Sequence, residues 1–354
     1  MQARFVNWVD KRRTRFAQAV RPTIERWAED DSVRLDRELL AHGLEDLSTD
    51  GERIQGGSLR ELEEVFATFK EMPASYMHSL HEAKRRMALV RRLGVKHPWW
   101  TLNGKYAGYR YAAAMGISHP EVLGRFASID DVNPGELGDR FLIKPDAGST
   151  NRGVYGLDRQ DDGSYIDRLN GVRRTWDEVK DSYADLHSGG KISKSLIVEE
   201  LLRKPGTESA IPDDYKIYCF YDRAELIMQR DLSESADRTN WRFKFWNRDW
   251  EDIGPVKYAD RVDQSLAPPV NGDELIATAE RFGKALRVPF ARLDFYDTDR
   301  GVVFGEVTLN PGPPEVFAPE VDEYLGRHRE FAAARLLAEE VVAGHWDHLL
   351  PPDD

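Results

Sequence analysis

Three groups of residues have the types and spacing to do chemistry. The first is Lys144-Pro145-Asp146-Ala147-Gly148-Ser149-Thr150-Asn151-Arg152-Gly153-Val154. A lysine closing an apolar run reaches phosphate oxygens as a point charge. The Gly- and Ser-rich stretch behind it lets backbone N–H groups approach an anion without a Cβ in the way. Its spacing is neither that of a P-loop nor that of a dinucleotide fingerprint, and a plain turn between strands accounts for it equally well. The second group is Arg292-Leu293-Asp294 with Glu306-Val307-Thr308-Leu309-Asn310-Pro311-Gly312. If the two segments pair, the carboxylates of Asp294 and Glu306 can converge and supply the oxygens that Mg²⁺ requires. Arg292 shares the parity of Asp294, so it projects to the same face, where a cation can neutralise a developing oxyanion. A solvated surface hairpin is the bland reading. Against it, Glu306 sits among Val303, Phe304, Val307 and Leu309, a costly setting for an unpaired charge. The third group is Asp214-Tyr215-Lys216 with Arg230, whose cations either sit over a triphosphate or are ordinary hairpin cations.

These groups need elements to position them. Phe141–Lys144 is a short apolar run ending at Pro145, as a strand does before a loop. Leu196–Glu200, Lys216–Tyr221 and Leu226–Arg230 read as further strands, with Asp222-Arg223 as the turn between the last two. Ala291–Tyr296 and Val302–Val307 form a pair around the turn Asp297–Gly301. Asp273 is expected to cap a helix whose face is Leu275, Ile276, Ala279, Phe282 and Leu286. A last helix runs from Tyr324 to Val342, and Lys105 to Met115 is a helix ended by Gly116. Ahead of His97-Pro98 the chain reads as helical: Ser58 and Glu61 form a capping-box pattern before Leu59, Leu62, Val65, Phe66 and Phe69, and Arg12–Trp27 and Ser32–Leu40 are weaker helical stretches. The segment Asn240–Trp250 alternates cations with aromatics. That is either a stacking face for sugars or bases, or an amphipathic hairpin with its rings packed inward.

Composition bounds the function. The 354 residues suffice for several lobes, and 41% hydrophobic with 32% charged residues is the balance of a globular protein. A formal charge of -12 disfavours a nucleic-acid partner. The cations Lys84, Arg85, Arg86, Arg91, Arg92 and Lys96 cluster locally and read as the solvated face of a helix. The single cysteine, Cys219, excludes an intrachain disulfide and reads as a buried structural thiol. The sequence shows neither a signal core nor an apolar segment of about 20 residues, so a cytoplasmic protein without membrane insertion is expected.

Taken together and in this order, the groups resemble the ATP-grasp superfamily. Lys144 matches its strand lysine before the glycine loop, Ile197–Leu202 its adenine hinge, and Asp214–Lys216 its acidic-x-basic strand entry. Arg292, Asp294, Glu306 and Pro311-Gly312 match its metal-binding hairpin. The TupA-like branch is the most similar, through Leu102-Asn103-Gly104-Lys105-Tyr106-Ala107 with Arg110, through Asp214–Phe220, and through Phe304-Gly305-Glu306-Val307-Thr308. The resemblance spans roughly residues 97 to 340 and implies an α+β ATP-grasp fold, two lobes clasping ATP, behind a mainly helical N-terminal lobe. The expected divisions are 1–96 for the helical lobe, 97–212 for a linker and the first ATP-grasp lobe, and 213–354 for the second.

The resemblance also implies roles. Lys105 and Lys144 would contact phosphates, with Gly148, Ser149, Thr150 and Gly153 closing over them. Glu199, Glu200 and Leu202 would present the adenine hinge, and either Glu208 or Asp214 would hold the ribose. Lys216 and Arg230 would address the γ-phosphate and Arg292 a tetrahedral intermediate. Asp294 and Glu306 would bind Mg²⁺ with Thr308, which stands where many members carry asparagine; Asn310 projects the same way. The implied activity is ATP-dependent joining of a small-molecule carboxylate to an amine through an acyl phosphate, with a glycan or peptide as acceptor. Rival readings on the same site are a kinase acting on a hydroxyl and a non-catalytic nucleotide-binding protein. A homodimer fits the superfamily. The acceptor pocket is expected from the helical lobe, the Asn310–Phe317 loop and Trp241–Trp250.

Overall fold

The computed structural model describes residues 73–146, 152–207, 210–232, 241–257, 261–312 and 316–346. The helices expected between residues 12 and 69 lie outside them, as do Gly148, Ser149, Thr150 and Glu208. Residues 74–354 form one compact unit. Its helices are α1 (Tyr76–Arg92), α2 (Lys105–Ala114), α3 (Trp176–Ser188), α4 (Gly272–Leu286) and α5 (Pro319–Val342).

The first sheet holds β1 (Val122–Phe126), β2 (Arg140–Pro145), β3 (Tyr155–Arg159), β4 (Tyr165–Asp167), β5 (Val172–Arg174) and β6 (Leu196–Glu200), in the order β1-β6-β2-β3-β4-β5. The second holds β7 (Asp214–Phe220), β8 (Arg223–Asp231), β9 (Arg242–Trp246), β10 (Ala291–Thr298) and β11 (Gly301–Thr308), in the order β11-β10-β7-β8-β9. All pairings between these strands are antiparallel, and chain-adjacent partners such as β7–β8 and β10–β11 are joined by tight turns.

Each sheet is seated by an amphipathic helix. Val179 and Tyr183 of α3 pack with Phe141, Ile143 and Leu157. This helix begins at a capping box, with Thr175 and Glu178 each satisfying the other's backbone N–H. On the second sheet Leu275, Ile276, Ala279, Phe282 and Leu286 of α4 pack with Ile217, Leu293 and Phe295. Asp273 lies in the first turn of α4 rather than at its cap. The cap is Asn271, whose side chain is drawn instead to Asp297 on β10 at 2.7 Å. The turn between β7 and β8 falls at Tyr221-Asp222, one residue earlier than expected, with Tyr221 at φ 61°.

The opposite face of the second sheet is divided. Toward Phe220 it is apolar and covered by α1 and α5; toward Asp214 it is polar. Helix α1 lies ahead of the division expected at residue 96, and it packs along α5 within the compact unit. Tyr76, fully buried, meets Phe290 and Phe317 edge-on at centroid separations of 5.1 and 5.7 Å. Ser75 Oγ and the Met77 N–H donate to the two oxygens of Asp322 at 2.6 and 2.8 Å. The segment from Arg242 resolves as edge strand β9. Its rings Phe243, Phe245 and Trp246 are buried, which is the inward-packed alternative.

Close approach of α1 to α5 requires Gly326. A Cβ there would stand 2.6 Å from the Ser75 nitrogen and 2.7 Å from the Tyr76 nitrogen, both backbone atoms. In an open helix Gly→Ala stabilises by up to about 1 kcal/mol. Here the clash reverses the sign, and Gly326→Ala is expected to destabilise by about 1–3 kcal/mol in urea unfolding. An unchanged or raised midpoint would show that α1 is not seated on α5 as described.

Candidate active site

The register of the second sheet builds the site. Counting back from the Thr298–Gly301 turn without interruption would pair Asp294 with Gly305 and turn Glu306 to the other face. The ladder instead carries an irregularity between Asp294 and Phe295, and Gly305 is the extra residue. Glu306 therefore stands directly opposite Asp294, Asp294 opposite Lys216, and Arg292 opposite Thr308. Asp214 is opposite Arg230. Residues directly across an antiparallel pair share a face, as do residues two apart. Three acids (Asp214, Asp294, Glu306) and three cations (Lys216, Arg230, Arg292) thus occupy one patch with the Thr308 hydroxyl.

Asp294 is 4% exposed and sits between two cations. Arg292 donates Nε–H to Oδ1 at 2.8 Å and Nη2–H to Oδ2 at 3.2 Å, and Nη2 also reaches Thr308 Oγ1 at 3.1 Å. Lys216 pairs with Asp294 and, at 2.9 Å, with Asp214, which also pairs with Arg230. Burial pushes the Asp294 carboxyl upward, but Arg292 and Lys216 together outweigh it and hold it at about 2. Glu306, half-buried, makes no hydrogen bond or salt bridge among the described residues. Its free oxygens, with the neighbouring Asp294 and Thr308 oxygens, are the donor set that a hard divalent cation takes.

The first sheet contributes a second ionic group. Lys144 on β2 pairs with Glu199 on β6 at 2.7 Å, both under 10% exposed. Tyr109 from α2 donates to Glu199 Oε2 at 2.9 Å and accepts from Lys144. Burial first, then Glu199, push the Tyr109 phenol far up, so it remains a donor. Its ring stacks on His119 at 5.1 Å. Lys105, at the start of α2, lies within the fields of Glu306, Lys144 and Glu199; burial lowers its pKa, Lys144 adds to that, and the two glutamates oppose it. Gly153 closes the loop region at φ +71°, where a Cβ would stand 3.0 Å from Ile192 and 3.1 Å from Pro145, so only glycine fits.

Between the sheets lies a cleft lined by Leu142, Val154, Leu202, Ile211 and Tyr296, together with Glu199, Glu200 and Arg230. The Glu200 side chain is tied to Arg300 and to the Glu121 N–H, so what it can offer the cleft is backbone. Two buried polar atoms lack partners here, Asp214 Oδ1 and Arg230 Nε. An unpaired buried acceptor beside an unpaired buried donor is satisfied by an ordered water or by polar groups of a ligand. An apolar slot bordered by a cation can take a flat ring that carries an anionic group. A second cavity borders Glu306, Thr308 and Asn310 and is walled by Lys84, Met87, Arg91 and Trp100. Trp241–Trp250 takes no part in it.

The family model for TupA-like ATP-grasp proteins matches residues 84–329. The chain belongs to the TupA-like ATP-grasp family. No curated protein matches it. Among solved structures, this TupA-like protein is similar to the D-alanine–D-alanine ligase of Bacillus anthracis, at 15% identity and a TM-score of 0.42, covering 68% of this chain and 70% of that one. It is also similar to the ATP-grasp ligase PsnB complexed with a precursor variant, Mg and ADP, at 13% identity and a TM-score of 0.38. That alignment covers 66% of this chain and 58% of PsnB. At these scores the family match carries the assignment, and with it the α+β ATP-grasp fold.

Tyr109 is the member that sequence reasoning misses, and two of the α1 cations, Lys84 and Arg91, border the second cavity as well as the solvent. Tyr109 falls at an unassigned position of the Leu102–Arg110 motif. Lys84, Met87, Ala88 and Arg91 follow i, i+3, i+4, i+7 spacing, the signal that they share a helix face.

The cations around Asp294 make a testable contribution to stability. A carboxyl held near 2, below its unfolded value of about 3.9, stabilises the fold above that unfolded value and loses the effect as pH falls through 2. The gap in urea stability between wild type and Asp294→Asn, expected to exceed about 2 kcal/mol at pH 7, should narrow between pH 4 and pH 2. A gap that stays constant over that range would show that Asp294 is not held as an anion by Arg292 and Lys216.

Proposed function

We propose that this protein is an ADP-forming carboxylate–amine ligase working through an acyl phosphate in the cytoplasm. The observation that carries the reading is the cross-strand row Glu306–Asp294–Lys216 with Arg292 beside it. Mg²⁺ bound by Glu306, Asp294 and Thr308 would neutralise the phosphate oxygens and align the triphosphate. The chain's own side chains account for the rest. Leu142, Val154 and Ile211 would enclose the base against the hinge after β6, and Asp214 Oδ1 and Arg230 Nε would gain partners from the nucleotide. Lys144, released from Glu199, and Lys105 would meet phosphate oxygens.

A substrate carboxylate oxygen would then form a bond to the γ-phosphorus as the bond to the bridging oxygen breaks and ADP leaves. An amine nitrogen would next bond to the acyl carbon, losing a proton, while the acyl C–O bond breaks and phosphate departs. Arg292 would offset charge on the tetrahedral oxyanion, and its links to Thr308 and Asp294 orient the guanidinium. No covalent enzyme nucleophile is required. Among the described residues, no helix is long and apolar enough to cross a membrane.

The test is coupled ADP release with a panel of carboxylic acids and hydroxylamine, which traps acyl phosphates as hydroxamates. Wild type is expected to release ADP and form hydroxamate in equal amounts. Glu306→Gln and Arg292→Met are each expected to lower kcat by about 10²-fold or more. Phosphorylated product without hydroxamate would identify a kinase. Full turnover in Glu306→Gln would remove the row from the chemistry.

A further inference from the structure

The cavity beside Glu306 and Thr308 has a wall that the reaction does not explain. It is one stripe of α1: Lys84, Met87, Ala88 and Arg91, faced by Trp100, Val307 and Asn310. Residues 84 and 91 are seven apart, two helical turns, so their Cα atoms are about 10 Å apart along the axis. Between them lie the apolar side chains of Met87 and Ala88. The order along the wall is therefore cation, apolar strip, cation.

Each end has a neighbour that orients it. Lys84 donates to the Pro311 carbonyl, which holds its ammonium at the loop that follows Thr308. The Arg91 guanidinium lies 5.1 Å from the Trp100 ring centre, and no carboxylate among the described residues pairs with it. Arg86, one face round the helix, is by contrast paired with Glu82 at 2.6 Å. Among the described residues that line the cavity the one acid is Glu306, which the metal site would take. The wall that remains is cationic in a chain whose formal charge is -12.

We propose that the acid substrate carries two anionic groups separated by a short apolar spacer. Resting on the ligase reading above, the assignment puts the reacting carboxylate at Lys84, beside Thr308, and the second anion at Arg91. The two side chains rise from points about 10 Å apart along the helix and turn to different partners, Pro311 and Trp100, so one anionic group is placed at each. A guanidinium backed by an aromatic face pairs with a carboxylate or phosphate through two parallel N–H bonds. Met87 and Ala88 give the spacer an apolar surface to lie on. Lys84 and Arg91 are binding residues in this account, and Arg91 is the one that sets specificity.

The experiment is calorimetric titration of the protein loaded with Mg²⁺ and the non-hydrolysable nucleotide AMP-PNP. The probes are succinate, glutarate and adipate, each compared with its monoamide. For the length that binds best, the diacid is expected to bind at least ten-fold more tightly than its monoamide. Arg91→Gln should reduce that ratio to below two-fold. Lys84→Met should weaken the diacid and the monoamide together. Both variants should keep the wild-type affinity for AMP-PNP, which reports that each is folded. Equal affinity for diacid and monoamide, no binding of any diacid to nucleotide-loaded protein, or a ratio that survives in Arg91→Gln overturns the inference and leaves the ATP site standing. Failure of the wild type to bind AMP-PNP overturns the ligase reading itself, and the inference with it.

Discussion

The structure depends on one buried carboxylate, Asp294, held between Arg292 and Lys216. Burying a lone anion there would cost several kcal/mol, and two cations with good geometry offset it. Their cost is met in turn by other acids: Lys216 also pairs with Asp214, and Asp214 with Arg230. The charges thereby form a continuous chain across β10, β7 and β8, fixed by cross-strand register rather than by loops. Sites carried on strands hold their geometry more closely than sites carried on loops. Glu306 stands at the end of this chain without an ion pair among the described residues, which would leave it available to a cation.

That arrangement turns on Gly305. As the extra residue in β11 it shifts the ladder by one, bringing Glu306 round to Asp294. It also admits the Tyr296 ring, since a Cβ at 305 would stand 2.6 Å from that ring. Tyr296 in turn walls the cleft between the sheets. One glycine therefore joins the hairpin that carries Glu306 to the cleft between the sheets. Its neighbour element α1, seated by Tyr76 and by Asp322, closes the other side of the same hairpin and brings two cations to it.

Much of this was legible in the residues. The hairpin could be read from its alternation and from the Asp297–Gly301 turn, and the face of α4 from its apolar spacing, because both signals are local. The burial of Cys219 could be read from its β-rich surroundings. What could not be read was set by partners distant in sequence. Asp273 looked like a cap, but Asp297, twenty-odd positions away, draws the chain so that Asn271 takes that place. Of the α1 cations, Arg85, Arg86, Arg91, Arg92 and Lys96 are exposed, as the solvated reading has it; Lys84 is half-buried against Pro311, a partner too distant in sequence to be read. Strands β3 to β5 are short and partly polar, and so carry little alternation. Helix α3 was missed although Thr175 and Glu178 spell a capping box.

The central claim is that Glu306, Asp294 and Thr308 hold a divalent cation against nucleotide phosphates. Binding of Mn²⁺ followed by electron paramagnetic resonance, with and without AMP-PNP, tests it most directly. The account predicts nucleotide-dependent Mn²⁺ binding in the wild type that is lost in Glu306→Gln while Arg91→Gln retains it. Mn²⁺ bound equally well by Glu306→Gln in the presence of AMP-PNP would contradict it.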